Sequence, residues 1–490
     1  MNELLVSSNG WKNSPFFVTT AVVFLGILIG MALIKLPLSY FLVFMVLVIS
    51  PYLFIKPHKT FLFFLSLLIL FPNVDYAIRE GSKVIDIYGK GVGILPLPLI
   101  DFLLFFLFGA ALCGLVYERR NTNRRFLLLD YSILVFLITS IIYIIVSFLT
   151  NPIGISMEGF RNAVYRFGVI GIVEFCLVYF VVYIIFSKKK QLIELTNFIF
   201  FLALARASYG IIRFIFFGGD PREYASRMGF NLKFTFFEIG DVAFFMFILS
   251  FCFLNIFIIL RKKKIFYITI FIILFNILFS FRRVAWAGSI LVLIYLFQKI
   301  SKRKRILFYV AALILLIPAL ISLISMRFGS LENSIGDISF DYSSSNKMGR
   351  FGELYYAIKT ISKSPIFGQG VTGIYIASPS FNWPAPPDMV HSTILHIALK
   401  MGLIGLIILF FVILGVYLLN VNSRKINLPD KELKVIFYSA YSTLILLVFN
   451  FLFANPLAVF RHAAGYGLFV GLVRVSYKFL IQNHEISSAK

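Results

Sequence analysis

Two kinds of side chain in this sequence could do chemistry. The first is arginine. Arg282 and Arg283 interrupt an otherwise apolar stretch, Arg350 follows a Ser/Asn/Asp/Gly-rich segment, and Arg161, Arg166 and Arg213 stand at the edges of other apolar runs. A guanidinium offers a planar fork of donors suited to bidentate binding of phosphate. The second is His391, placed just before an apolar run. A neutral imidazole can accept a proton from a sugar hydroxyl at ambient pH. Blander roles also fit, because the arginines suit lipid headgroups or pairing with Glu158, Asp220, Glu223 and Glu353, and a histidine at an interface can serve as an anchor.

The elements that must position these groups lie in a membrane. Of 490 residues, 60% are hydrophobic and 14% charged, against about 45–50% and about 25% in a soluble domain. Apolar segments recur from about residue 15 to about residue 481. At about 20 residues per crossing they make about fourteen transmembrane helices, the first retained near Pro15. The net charge of +24 would suggest a nucleic-acid partner in a soluble chain. Here much of it falls in clusters after every second segment: Lys56 and Lys59, then 119–125, 188–190, 261–264, 302–305 and 424–434. Basic loops stay inside, so one orientation accounts for every cluster, with both termini cytoplasmic.

The opposite face then carries 74–97, 150–167, 218–233, 326–394 and 455–462. All the arginines named above map to that face or to outer helix ends, as do Arg222, Arg227, Arg327 and Arg461. An outer-face phosphate in a bacterial membrane points to a lipid-linked diphosphate sugar. In the long loop, Ser330 to Lys347 reads as mobile, and Asn382 to Pro387 as a proline-rich approach to the twelfth helix. Between them Phe351, Leu354, Tyr355, Ile358 and Ile361 repeat at helical spacing, predicting an amphipathic helix that stops at Pro365. Arg206 lies deeper, roughly 16 Å from the outer end of its helix. Glu238 and Asp241, three residues apart, share a helix face and could neutralise it. His396 turns into apolar sequence and should pack or hydrogen-bond, and His462 is a lesser relative of His391.

Several chemistries are excluded. Gly368, Gly370 and Gly373 spell GxGxxG, but without a preceding strand or a βαβ unit this reads as a tight turn. Cys113, Cys176 and Cys252 sit in apolar runs and offer neither a disulfide framework nor a metal quartet. No Walker loop, HExxH, glycosidase-type carboxylate pair or aspartate-rich motif occupies the outer face. No cofactor is expected, and the energy of any transfer must arrive in the substrate.

Three stretches resemble a known family. Ser280-Phe281-Arg282-Arg283-Val284-Ala285-Trp286-Ala287-Gly288 resembles a Ser-Arg-Gly-Ala-Trp-type motif. Gly349-Arg350-Phe351-Gly352-Glu353-Leu354, running on to Ser364-Pro365-Ile366-Phe367-Gly368-Gln369-Gly370, resembles an Arg-x-x-x-Trp…Pro-Leu-Gly-x-Gly segment. His391-Ser392-Thr393-Ile394-Leu395 with Met401-Gly402-Leu403-Ile404-Gly405 resembles a His-Asn-x-x-Leu…Gly-Leu-Ile-Gly ending. Their order over roughly residues 265–415 is similar to that of the O-antigen ligase and O-antigen polymerase superfamily. Serine after the histidine and the doubled arginine depart from its pattern.

The resemblance implies an all-α integral membrane protein of GT-C-like architecture: helices 1–11 over 1–325, a periplasmic loop with the catalytic motifs over 326–394, and helices 12–14 with a cytoplasmic tail over 395–490. It implies a metal-independent glycosyltransferase in the bacterial inner membrane that moves a glycan from undecaprenyl diphosphate to an acceptor hydroxyl on the periplasmic side. Arg283, with Arg282, and Arg350 would hold the diphosphate, joined by Arg161, Arg166 and Arg213, and His391 would orient or deprotonate the acceptor. The acceptor would be lipid A core for a ligase or a growing glycan for a repeat-unit polymerase. A lipid-linked oligosaccharide flippase is the rival from another class, but it should carry its cations at the midplane between related halves.

Overall fold

The computed structural model describes residues 56–71, 98–118, 126–150, 168–217, 237–259, 264–279, 283–299, 349–377, 390–425, 430–455, 457 and 459–488. The described residues form twelve α-helices: α1 Pro57–Leu70, α2 Leu99–Glu118, α3 Leu128–Leu149, α4 Ile170–Ile185, α5 Lys189–Phe217, α6 Ile239–Leu254, α7 Lys264–Phe279, α8 Arg283–Phe297, α9 Gly349–Ile361, α10 Thr393–Lys425, α11 Lys431–Phe453 and α12 Phe460–Ser488. Among them α3, α5, α6, α10, α11 and α12 contain stretches long and apolar enough to cross a membrane. The regular structure of the described residues is all helical, and the chain is a multi-pass membrane protein. The spans expected near 15–34, 37–55 and 306–325 lie outside the described residues, as do Ser330 to Lys347 and Asn382 to Pro387.

Two compact units are present, 1–64 with 73–110 and 65–72 with 111–490. In the smaller one, the rings of Phe61 and Phe64 stack 5.7 Å apart. In the larger one, α12 is the most enclosed span and α4 is buried from Gly171 to Ile185. These two helices pack closely because Gly467 and Gly471 remove bulk at four-residue spacing. A β-carbon on Gly467 would stand 2.3 Å from the Phe175 carbonyl oxygen, so the backbones meet in the small-xxx-small manner of membrane helices. By contrast, α3 turns Ile138, Ile142, Ile145 and Leu149 outward, the surface that lipid requires.

Buried ions fasten both ends of the bundle. At one end Arg474 grips Asp130 with Nε and Nη2 at 2.8–3.0 Å, Tyr179 donates to the same carboxylate, and the guanidinium lies 4.9 Å from the Tyr183 ring centre. Lys189 pairs nearby with Asp430, which also caps α11 by accepting from the Leu433 amide. The basic segments 188–190 and 424–434 therefore share one end of the bundle, as their charge pattern requires. α6 reaches that end through a π-helical turn, Asn255–Ile259, where Asn255 donates its side-chain amide to the Phe251 carbonyl.

The other end holds a buried cluster. Arg206 donates from Nε to Asp241 at 3.1 Å, the pairing that the sequence suggests. Arg461, fully buried, reaches Glu238 and Asp241 and also donates to the carbonyls of Leu68 and Ile69. His462 Nε2 stands 3.4 Å from Glu238. Two arginines thus face two carboxylates, so charge is balanced where isolated ions are costly, and Arg206 and Arg461 are accounted for by structure alone.

Candidate functional site

The same end of the bundle carries the conspicuous imidazole. His391 lies two residues before α10 and keeps 27% of its side chain exposed. Its surroundings fix it on three sides. Ser392 Oγ donates to the Phe451 carbonyl at 3.2 Å, and Thr393 donates to the Ala454 carbonyl from both N and Oγ1, at 3.1 and 3.0 Å. Ser392, which departs from the family's asparagine, is thus spent in anchoring α10 to the end of α11. From the third side comes Glu353 of α9, itself buried. Its carboxylate accepts the His391 main-chain N–H at 2.9 Å and faces ring Nδ1 at 2.9 and 3.1 Å.

This contact sets the tautomer. A carboxylate accepts hydrogen bonds, so in a neutral ring this contact favours the proton on Nδ1 and makes Nε2 the basic nitrogen. The ring keeps 27% of its side chain exposed, which makes it the candidate for general-base work at this site. Sequence reading named Glu353 only as a possible partner for arginine. Its spacing gives no hint of a residue 38 positions away in sequence.

α9 forms where the periodicity predicts and ends before Pro365. Glu353, Ala357 and Thr360 face inward, whereas Tyr355, Ile358 and Lys359 are exposed. Glu353 goes in to reach His391, and Ala357 is small enough to pack with Tyr375, Val390 and Leu399, with Ile361 against the same cluster. Arg350 is in the first turn of α9, three residues before Glu353 and so on the same helix face. Its side chain lies outside the described residues.

Beyond α9 the glycine-rich segment makes a turn, as its sequence suggests, and the turn locks into α10. Gly368 and Gly370 take φ of 71° and 78° and Gly402 takes φ of 62°, breaking the helix there. At the break, free main-chain groups pair across: Gln369 N to Leu399 O at 2.7 Å, Gly370 N to Lys400 O at 3.1 Å, and Leu403 N to Pro365 O at 2.8 Å. A β-carbon on Gly402 would stand 2.3 Å from the Ile366 carbonyl oxygen, so no larger residue allows the approach. Lys400, almost wholly buried, donates Nζ to the carbonyls of Val371 and Gly373 at 2.9 and 2.7 Å. Sequence reading passed over it as an ordinary helix residue. His396 is buried in the same half of α10, in keeping with a packing role.

Arg283 opens α8, the helix that follows α7 after a short link. Trp286 of the same motif donates its indole N–H to the Ile277 carbonyl at 2.8 Å, tying the two helices together. Gly288 packs against Leu446 of α11, a little before the Phe451 and Ala454 carbonyls that hold Ser392 and Thr393. The backbones of Arg283, Arg350 and His391 therefore come to the same end of the bundle. The Arg283 side chain, and Arg282, Arg161 and Arg166 altogether, lie outside the described residues. Arg213 is half-buried on α5, two turns beyond Arg206.

No curated protein matches the chain. Residues 268–410 take in the Arg283 turn, α9, the docked loop, His391 and the first half of α10. They match the family described as O-antigen ligase, a similarity that supports the resemblance to the O-antigen ligase and O-antigen polymerase superfamily over this part of the chain.

Proposed function

We propose that this protein is a metal-independent membrane glycosyltransferase of the O-antigen ligase type. It moves a glycan from undecaprenyl diphosphate to an acceptor hydroxyl of lipid A core, on the periplasmic face of a bacterial inner membrane. In this reading the chain has about fourteen spans with both termini cytoplasmic, and residues 326–394 form the periplasmic loop. The acceptor O–H bond gives its proton to His391 Nε2 as the oxygen attacks the anomeric carbon. The bond from that carbon to the diphosphate breaks, and its electron pair leaves on the phosphate oxygen. Arg350 and Arg283 bind the diphosphate and stabilise the charge that develops there, with Arg282, Arg161, Arg166 and Arg213 supplying further positive potential. Glu353 positions the imidazole and stabilises the imidazolium.

The observation that carries this reading is the Glu353–His391 couple, one helical turn from Arg350. The O-antigen ligase match over the same residues supports it. The test is purified protein incubated with a polyprenyl-diphosphate-linked glycan and lipid A core, without nucleotide. Transfer to the core is expected. Extension of one repeat unit by another would instead make the protein a polymerase, and lipid scrambling without transfer would make it a flippase.

A further inference from the structure

The outer face of α9 and the turn that follows it expose more apolar surface than a water-facing loop should. Ile358 is 56% exposed and Phe367 63%, and Tyr355, Ile366, Ile374 and Ile376 are exposed beside them. Such patches mark a place where something docks. The turn is also held firmly. The Phe367 carbonyl stands 3.0 Å from the Tyr143 hydroxyl, which also lies 3.2 Å from the Met401 carbonyl, and Ile404 N donates to Ile366 O. Phe367 therefore projects from a fixed support.

That support defines a height. α10 has 33 residues, about 50 Å at 1.5 Å each, while the hydrocarbon core of a bilayer needs only about 20 residues. Counting about 20 back from the polar end at Asn420 to Arg424 brings the crossing to the Gly402 break. The burial pattern changes there too. From Ile397 to Met401 the helix is buried, whereas Leu403, Ile407 and Phe410 form an exposed apolar stripe. α3 adds Ile142, Ile145 and Val146 to the same outward surface on either side of Tyr143. The turn bearing Ile366 and Phe367 is thus tied to the two helices that carry this lipid-facing surface, α3 and α10, and it follows directly on α9. Lys359 and Lys363 are exposed, and with Tyr355, Tyr356 and Ile376 they line a groove of about 340 Å³. Lysines beside apolar surface reach for phosphate headgroups while their stems stay in hydrocarbon.

We infer that the occupant of this surface is the outer leaflet of the bilayer, with Ile366 and Phe367 seated at the boundary between hydrocarbon and headgroups and α9 lying along it. The consequence for transfer rests on the reading above. The docked turn would hold the Glu353–His391 couple at a constant distance above the plane in which a carrier lipid's diphosphate must stand.

The test needs no turnover, so its failure is distinguishable from failure of the transferase reading. Full-length protein carrying Phe367→Trp, and separately Ile358→Trp, is placed in nanodiscs of phosphatidylcholine brominated either near the headgroup end or near the tip of its acyl chains. The unsubstituted protein supplies the background of the native tryptophans, and Leu403→Trp is the membrane control. The expected result is loss of the added emission with headgroup-proximal bromine, a smaller loss with terminal bromine, and little quenching by aqueous iodide. Quenching by iodide with no response to bromolipid would place the face in water and overturn the proposal. Resistance to both quenchers would mean that protein, such as a second copy of the chain, covers the face, and would overturn it equally.

Discussion

One carboxylate holds His391 at two points: Glu353 receives both the main-chain N–H and the ring Nδ1 of the histidine, at 2.9 Å each. This sets the first prediction. His391→Ala should lower kcat for glycan transfer by about 10²- to 10⁴-fold, the usual worth of a general base. Glu353→Gln should fall in the same range, because the amide can donate to Nδ1 and favour the wrong tautomer. Both should leave donor affinity nearly unchanged, measured by binding of the diphosphate-linked glycan. Collapse of that affinity would remove the base assignment.

Arg350→Ala should abolish transfer while the protein still inserts and purifies normally. Arg350→Lys should restore little, since an ammonium cannot make the two parallel bonds that a phosphate accepts from guanidinium. Unaltered transfer in both Arg350→Ala and Arg283→Ala would dispose of the diphosphate clamp.

The joint between turn and helix makes a prediction of its own. Gly402→Ala places a methyl 2.3 Å from the Ile366 oxygen at a residue with φ of 62°. With ψ of −152° this is a region kept almost wholly to glycine, so the backbone term alone costs about 1–3 kcal/mol, and the clash adds to it. The melting temperature in detergent should fall and transfer should fall with it. Gly415→Ala, also in α10 but with negative φ, should be milder in transfer. Equal loss of activity in the two would mean that the joint has no special part in the site.

Lys400→Met keeps the length of the side chain but strips two carbonyls of their donor, at a cost of about 1–3 kcal/mol. The expected signature is faster proteolysis between Val371 and Ala377 before global unfolding. Protection as good as in the parent would show that the amine is dispensable there.

Much of this arrangement is legible in the sequence, for reasons that particular residues display. α3 to α8 and α10 to α12 each fall on an apolar run of the sequence, because a membrane forces each segment to satisfy its backbone internally. The partnership of Arg206 with Asp241 follows from charges entering from one side. Arg461 is harder. Taken as one of many outer-face arginines, it proves to be shared among carbonyls of α1 and carboxylates of α6, and no local spacing encodes partners some 220 and 390 residues away. The packing of α9 is harder too: Glu353 is drawn in by His391 and Ile361 packs inward, while Tyr355 and Ile358 of the same stripe are left exposed.

The turn that meets α10 is joined largely through amide and carbonyl groups, with the Tyr143 hydroxyl and the Lys400 ammonium as its main side-chain ties. Substitution can therefore rewrite many of the letters around it, provided that those two ties and the few positions unable to carry a β-carbon are kept. Distant versions of this protein should then share a rhythm of glycines and little readable text between them. A mutational scan of Pro365 to Gly405 should show that rhythm directly, as sharp intolerance at its glycines beside that expected at His391 and Lys400.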